Sequence, residues 1–223
     1  MQTILGAGGG AGTEITRELS NYTKNIRVVS RNPQKVNETD QLMKADLSDP
    51  KQLDEAVKAS NVVYVTIAFE YKLKVWKELW PMFMKNLIDS CSRHNSKIVF
   101  VDNVYMYDPK YLSNMTEETP MNPISEKGKI RAEVANMLME AVEKNKVEAI
   151  IARAPDFYGP GVLGSMLYQT VYLKLIKDKN PQWLGELDVI HSFIYSKDIG
   201  KSVTLLGNTL RCLQSGVASS NNK

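Results

Sequence analysis

A run of glycines near the start of the chain limits the fold more than any other feature. Gly6-Ala7-Gly8-Gly9-Gly10-Ala11-Gly12 follows the apolar stretch Thr3–Leu5 and precedes a segment of helical period. Without Cβ atoms the backbone turns sharply and lets a ligand come close to its N–H groups. The helix that follows adds partial positive charge at its N-terminus. Strand, glycine loop and helix in this order form the cradle for the pyrophosphate of a dinucleotide. Two spacings, Gly6/Gly9/Gly12 and Gly6/Gly8/Ala11, fit at once, and the residues do not choose between them.

The remaining chain repeats the strand–helix theme. Apolar, β-branched runs predict strands at Thr3–Leu5, Ile26–Ser30, Leu42–Ala45, Val62–Thr66, Ile98–Val101 and Val147–Ala152. Helical periodicity predicts helices over about 12–23, 51–59, 72–93 and 124–144. This alternation implies an α/β, Rossmann-like, doubly wound parallel sheet with helices on both faces. Residues 1–155 are read as the dinucleotide-binding domain and 156–208 as a small, incomplete C-terminal substrate lobe. Residues 209–223 are small and polar without periodicity, which predicts a disordered tail.

The second strand ends in Ser30-Arg31, where an Asp or Glu would grip a ribose 2′-hydroxyl. Arg31 can instead pair with a 2′-phosphate, so NADP is favoured over NAD; a surface arginine without a ligand is the plainer alternative. Asp46-Leu47, after the third strand, is placed to flank an adenine, although Asp46 is equally suited to cap the next helix.

Four later segments extend the pattern. Val99-Phe100-Val101-Asp102-Asn103-Val104-Tyr105-Met106-Tyr107 is similar to V-F-x-S-S-x-x-V-Y. Pro123-Ile124-Ser125-Glu126-Lys127-Gly128-Lys129-Ile130-Arg131 is similar to P-x-S-x-Y-G-x-x-K. Arg153-Ala154-Pro155-Asp156-Phe157-Tyr158-Gly159-Pro160 is similar to R-P-x-x-V-Y-G-P, and the late segment His191–Asp198 also matches. Over about residues 1–207 the chain resembles the extended short-chain dehydrogenases/reductases, more narrowly their NAD-dependent epimerase/dehydratase group. The resemblance implies an oxidoreductase with a sugar-like or other hydroxyl- or carbonyl-bearing substrate, such as a nucleotide sugar. It puts Gly6, Gly9, Gly10, Ala11, Gly12, Arg31, Asp46, Leu47, Ile67, Ala68, Arg131 and Pro155 on the cofactor. Family members also pair as homodimers through the helix at 72–93 and the one carrying Lys127, and they continue well beyond the Asp198 helix. An open substrate lobe follows, with apolar surface near Val203–Leu206 exposed or covered by a partner.

The departures concern the chemistry. The family carries a tyrosine and, four residues on, a lysine on one helix face; the lysine holds the ribose and the tyrosine moves a proton. Here those places hold Lys127 and Arg131, and the usual serine or threonine is Asn103. Arg131 is expected to reach the nicotinamide-side ribose, and Lys127 to face the same crevice. Tyr105, two residues past Asn103, is a candidate replacement acid or ordinary loop packing. A shifted pair, Ser125 and Lys129, keeps the same spacing but loses the register of Pro123 and Gly128. Phe69-Glu70-Tyr71 lies where a cofactor- or substrate-facing loop belongs, its role open. Trp76, Trp80 and Phe83 recur at helical spacing as core or a dimer face.

The bulk numbers narrow the class. The net charge of +3, with both signs interspersed, does not argue for nucleic acid. Only Cys91 and Cys212 and two histidines are present, which predicts neither a disulfide framework nor a metal site. His191 reads as packing at a strand start. No apolar run nears the ~20 residues of a membrane span, and no signal segment precedes the first strand, so the expected location is cytoplasmic. An enzyme with altered catalytic residues and a non-catalytic NADP-binding sensor both fit.

Overall fold

A strand hydrogen-bonded on both edges and covered on both faces must be apolar throughout, and Val62–Val65 is buried at every position. The computed structural model describes residues 1–183 and 185–209. Its central sheet has six parallel strands: β1 Gln2–Leu5, β2 Ile26–Ser30, β3 Gln41–Lys44, β4 Val62–Val65, β5 Lys97–Asp102 and β6 Ala149–Arg153. They run in the order β3-β2-β1-β4-β5-β6. Leu5 pairs with Val29 on one side and Val65 on the other, so β1 and β4 lie at the centre. The chain reverses its direction of travel across the sheet between these two strands, which opens a crevice beyond their C-terminal ends.

Helices cover both faces. Helix α1 (Gly10–Leu19) packs on one face; α2 (Pro50–Val57), α3 (Leu73–His94) and α4 (Glu126–Glu143) pack on the other. Asp49 caps α2 by accepting from the Lys51 and Gln52 backbone N–H groups, with Pro50 in the first turn. Asp46 therefore does not cap this helix; it closes a tight turn by accepting from the Ser48 N–H and hydroxyl. Ser125 caps α4 through the Gly128 N–H. Asn95 ends α3 in the left-handed conformation. Trp76, Trp80, Phe83 and Met84 of α3 belong to the core rather than to an exposed face.

Beyond β6 the chain forms a small two-stranded parallel sheet, β7 Asp156–Tyr158 and β8 Phe193–Tyr195. A wide helical turn (Leu167–Tyr172) runs into the short α5, Leu173–Ile176, between them. This lobe leaves Leu163, Tyr172, Leu175, Ile176, Leu187 and Ile190 exposed. The chain then returns to the main body as α6, Ser196–Asn208.

Helix α6 corrects one expectation. Val203 is buried with Ile4, Ile15 and Val99, and only Leu205 of the Val203–Leu206 stretch is well exposed. The helix completes the α1 face of the sheet, and its end is tied down by polar groups. Lys97 Nζ donates to the carbonyls of Leu206, Gly207 and Thr209, a cation at a helix C-terminus. Asn208 accepts from the Gln2 side chain and donates to Tyr64 Oη. Of the tail expected at 209–223, all but Thr209 lies outside the described residues. Among them, no helix is long and apolar enough to cross a membrane.

The contact of α6 with α1 supplies a test. A Cβ on Gly200 would stand 2.8 Å from the Glu14 carbonyl oxygen, a backbone atom that cannot swing aside. Overpacking typically costs about 1–3 kcal/mol, against a helix-propensity gain near 1 kcal/mol for Gly→Ala. Gly200→Ala is expected to lower the urea midpoint; an unchanged or raised midpoint would show that the helices can part without strain.

Candidate active site

The glycine loop opens onto the crevice between β1 and β4. Gly6 has φ +88° and Gly8 +118°, conformations that other residues rarely adopt. At Gly6 a Cβ would meet the Ile67 backbone at 2.5 Å, because the chain leaving β1 passes directly against the chain leaving β4. At Gly12 it would meet the Thr66 hydroxyl at 2.9 Å and Ala7 Cα at 3.1 Å, so the helix can approach the strand only through glycine. Gly8 and Gly9, by contrast, face open space. No side chain caps α1, and no acidic residue sits in its first turn. Free N–H groups, a positive helix end and open room beside them fit the diphosphate of a dinucleotide.

Other residues expected at the cofactor line the same rim. Arg31 is exposed just past β2, and no hydrogen bond or ion pair to it is present among the described residues. It does act on Asp46, whose carboxyl is held below its usual range mainly by Ser48, with Arg31 contributing. The neighbouring Ser30 hydroxyl is buried without a partner. Leu47 is buried, Ala68 is exposed, and Ile67 and Pro155 are half-buried at the ends of β4 and β6. The loop after β7 reaches this region too, since a Cβ on Gly10 would strike the Val162 side chain at 2.7 Å.

Arg131 departs from expectation. It is only 2% exposed and turns inward, where Nε donates to Asp102 Oδ1 at 2.8 Å and the terminal Nη2 donates to the same oxygen. Its guanidinium lies 4.1 Å from the Trp80 ring centre and 5.0 Å from that of Phe100. The reach toward a ribose is what the family resemblance implies for this position; in the structure a buried carboxylate at the end of β5 claims the nearest cation. Arg153 adds a second positive charge, with Nε 4.0 Å from Asp102 Oδ2.

Asp102 also accepts from the Asn103 N–H at 2.7 Å, and Asn103 Oδ1 accepts from the Tyr105 N–H at 3.0 Å. The buried pair thus orders the loop that carries Asn103 and Tyr105. Asn103 keeps its amide Nδ2 available as a donor. Tyr105 stacks on Trp76 at 6.4 Å; partial burial, the Tyr71 phenol and Asp156 all push its phenol above the ordinary range, opposed by Arg131.

Lys127, expected to face the crevice, contacts the loop after β4. It is half-buried, Nζ donates to the Tyr71 carbonyl at 3.1 Å, and the ammonium sits 2.9 Å from the Tyr71 ring centre. The alternative pair is engaged elsewhere, Ser125 as a helix cap and Lys129 on Glu126 at 2.7 Å. Three residues near the crevice were left unassigned or unnoticed: Tyr71, Asp156 and Val162. Asp156 Oδ2 meets His191 Nε2 at 2.8 Å, and the imidazole packs on Trp183 and Phe193. Position past a strand end signalled Tyr71, whereas nothing local signalled the other two. Among the described residues no group of three His, Cys, Asp or Glu side chains could hold a metal.

Fold and crevice together define a Rossmann-like protein. The chain belongs to the NAD dependent epimerase/dehydratase family, whose profile matches residues 3–212. No curated protein matches it in sequence. Solved structures resemble it in fold. A double mutant of dTDP-glucose 4,6-dehydratase from Streptomyces venezuelae, with NAD and DAU bound, superposes with a TM-score of 0.82 at 14% identity, over 92% of this chain and 71% of that one. UDP-glucuronic acid 4-epimerase from Bacillus cereus, in complex with NAD, gives 0.82 at 17% identity, over 97% and 77%. UDP-N-acetylglucosamine 4-epimerase from Methanobrevibacter ruminantium, in complex with UDP-N-acetylmuramic acid, gives 0.79 at 19%, over 95% and 74%.

The buried pair generates the test for this site. Removing one partner of a buried ion pair typically costs about 3–5 kcal/mol, while replacing both by apolar groups is often near neutral. Arg131→Met and Asp102→Leu are each expected to lower unfolding free energy strongly, and the double variant by clearly less than the sum of the two. Additive losses in urea unfolding would mean the two groups do not depend on each other.

Proposed function

We propose that this protein is an NAD(P)-dependent oxidoreductase acting on a hydroxyl or carbonyl group of a sugar-like substrate. The carrying observation is the uncapped, glycine-lined N-terminus of α1, open at the β1–β4 crevice and free of carboxylates in its first turn. Its N–H groups would hold the pyrophosphate. Leu47 would pack on the adenine, and Asp46 would flank it. Ile67, Ala68 and Pro155 would line the path of the dinucleotide toward Asn103 and Lys127. A bound nicotinamide supplies or accepts the hydride.

The chain's own part is orientation and proton handling. Asn103 Nδ2 would donate to the substrate oxygen, as the family's serine or threonine hydroxyl does. Arg131 acts as a positioning residue, because through Asp102 it holds Asn103 and Tyr105 in place. Nucleotide sugars are the favoured substrate class, since similar structures hold UDP-glucose and UDP-N-acetylmuramic acid. A second reading, a non-catalytic dinucleotide-binding sensor, draws on the loss of the tyrosine from α4 and the inward turn of Arg131. Turnover with any carbonyl compound or nucleotide sugar rejects it.

NADP is the favoured cofactor, because an exposed guanidinium without a hydrogen-bonded protein partner stands beside the unpartnered Ser30 hydroxyl where the adenosine ribose would lie. Charge-assisted hydrogen bonds are worth about 1.5–3 kcal/mol, so NADPH should bind roughly 10- to 100-fold more tightly than NADH. Calorimetric titration of both, repeated in Arg31→Ala, checks this. Equal affinities in the wild type, or a preference that survives the substitution, would reject the assignment.

A further inference from the structure

Helix α4 lacks a tyrosine, yet a phenol stands against its Lys127, delivered by a different element. Tyr71 lies on the loop between β4 and α3 at 63% exposure. The Lys72 N–H donates back to the Glu70 carbonyl at 2.6 Å, a three-residue turn that throws the Tyr71 side chain outward. Phe69, two residues earlier, anchors the loop in the core against Trp80 and Phe83. Tyr71 itself packs edge-on against Trp76, the indole on which Tyr105 stacks. Lys127 holds the loop twice, through the Tyr71 carbonyl and over the Tyr71 ring. A loop residue that is exposed in itself is thereby fixed from three sides.

We propose that Tyr71 is the catalytic acid/base phenol of this site, paired with Lys127 in an exchange of the usual places: the cation on the helix, the phenol on the loop. The proposal rests on the oxidoreductase reading above. In the reducing direction Tyr71 would give its Oη proton to the substrate oxygen, the hydride for the adjoining carbon being what a bound nicotinamide would supply. The phenol O–H bond breaks and an alcohol O–H bond forms. The carbonyl is reduced and the nicotinamide is oxidised. Negative charge is left on a ring that faces the Lys127 ammonium, which offsets it. Proton return then comes from solvent or through the Tyr105 hydroxyl, whose electrostatic partner is Tyr71.

The other candidates are less well placed. Lys127 already spends its ammonium on the Tyr71 carbonyl and ring. At Tyr105, burial first, then the Tyr71 phenol and the Asp156 charge, oppose a negative charge on the phenol oxygen.

Chemical modification tests this without relying on turnover. Exposed phenols are O-acetylated with N-acetylimidazole and mapped by mass spectrometry, with NADPH, with ADP or with no addition. Tyr22, Tyr111 and Tyr172 are exposed elsewhere and serve as internal references. NADPH is expected to suppress acetylation at Tyr71 and leave the references unchanged, whereas ADP, lacking the nicotinamide half, leaves Tyr71 reactive. Alongside, Tyr71→Phe keeps the ring under Lys127. It should retain NADPH affinity by calorimetry while losing about 10²- to 10⁴-fold in kcat on any aldehyde, quinone or nucleotide sugar that the wild type turns over. NADPH binding without protection of Tyr71, or full turnover in Tyr71→Phe, overturns the proposal and leaves the oxidoreductase reading intact. Absence of dinucleotide binding in calorimetry rejects that reading, and Tyr71's role with it.

Discussion

A full charge in the core must be answered inside the core, and the Asp102–Arg131 pair is where this protein meets that demand. The two side chains are almost completely enclosed. Desolvating both is expensive, and their attraction repays it only when geometry and further hydrogen bonds are good. Asp102 meets that condition on one oxygen: Oδ1 accepts from Arg131 and from the Asn103 N–H, while Oδ2 has no hydrogen-bond partner among the described residues and faces Arg153 Nε at 4.0 Å; Trp80 and Phe100 lie against the Arg131 guanidinium. The pair joins α4 to the tip of β5. From that fixed point a short chain of hydrogen bonds runs through Asn103 to Tyr105, so the crevice wall inherits its order from a contact buried behind it.

The floor of the crevice depends on a different constraint, the space that glycine leaves. Gly6 lets the chains leaving β1 and β4 pass at backbone contact, and Gly12 lets α1 settle on Thr66 and Ala7. Gly200 does the same for α6 against α1. These approaches bring two strand ends, a helix N-terminus and the returning C-terminal helix into one region. Val162 descends on Gly10 from the small lobe, so the lobe and the glycine loop share a boundary.

Between wall and floor lies an aromatic cluster centred on Trp76. Tyr71 meets it edge-on and Tyr105 stacks on it, with Lys127 beyond at 5.4 Å from its ring centre. Aromatic pairs and cation–π contacts each contribute roughly 0.5–1.5 kcal/mol beyond simple burial. Their larger consequence is geometric, because flat rings locked by a buried indole restrict where two phenols and an ammonium can go. Two phenols and an ammonium are thereby gathered from the β4–α3 loop, the β5–α4 loop and α4.

Period, turn chemistry and the glycine run were enough to place the six strands and four main helices within a few residues, and with them the dinucleotide-type fold. These features are legible because a strand buried on both faces needs consecutive apolar residues, and a helix against a sheet needs an apolar stripe. Gly6–Gly12, Arg31 and Leu47 were expected at a cofactor on the same grounds, and each lies just past the end of a strand. The inward turn of Arg131 was not legible. Helical spacing states which residues share a face, but the choice between a ribose and a carboxylate depends on Asp102, 29 residues away in sequence. Capping falls to Asp49 rather than Asp46 because α2 begins at Pro50, close to the expected start, and a cap must immediately precede the first helical residue. The meeting of Tyr71 with Lys127, of Asp156 with His191 and of Val162 with Gly10 was likewise decided only in three dimensions. Local pattern fixes which way a side chain faces relative to its own element, whereas partner choice is set by packing between elements far apart in the chain.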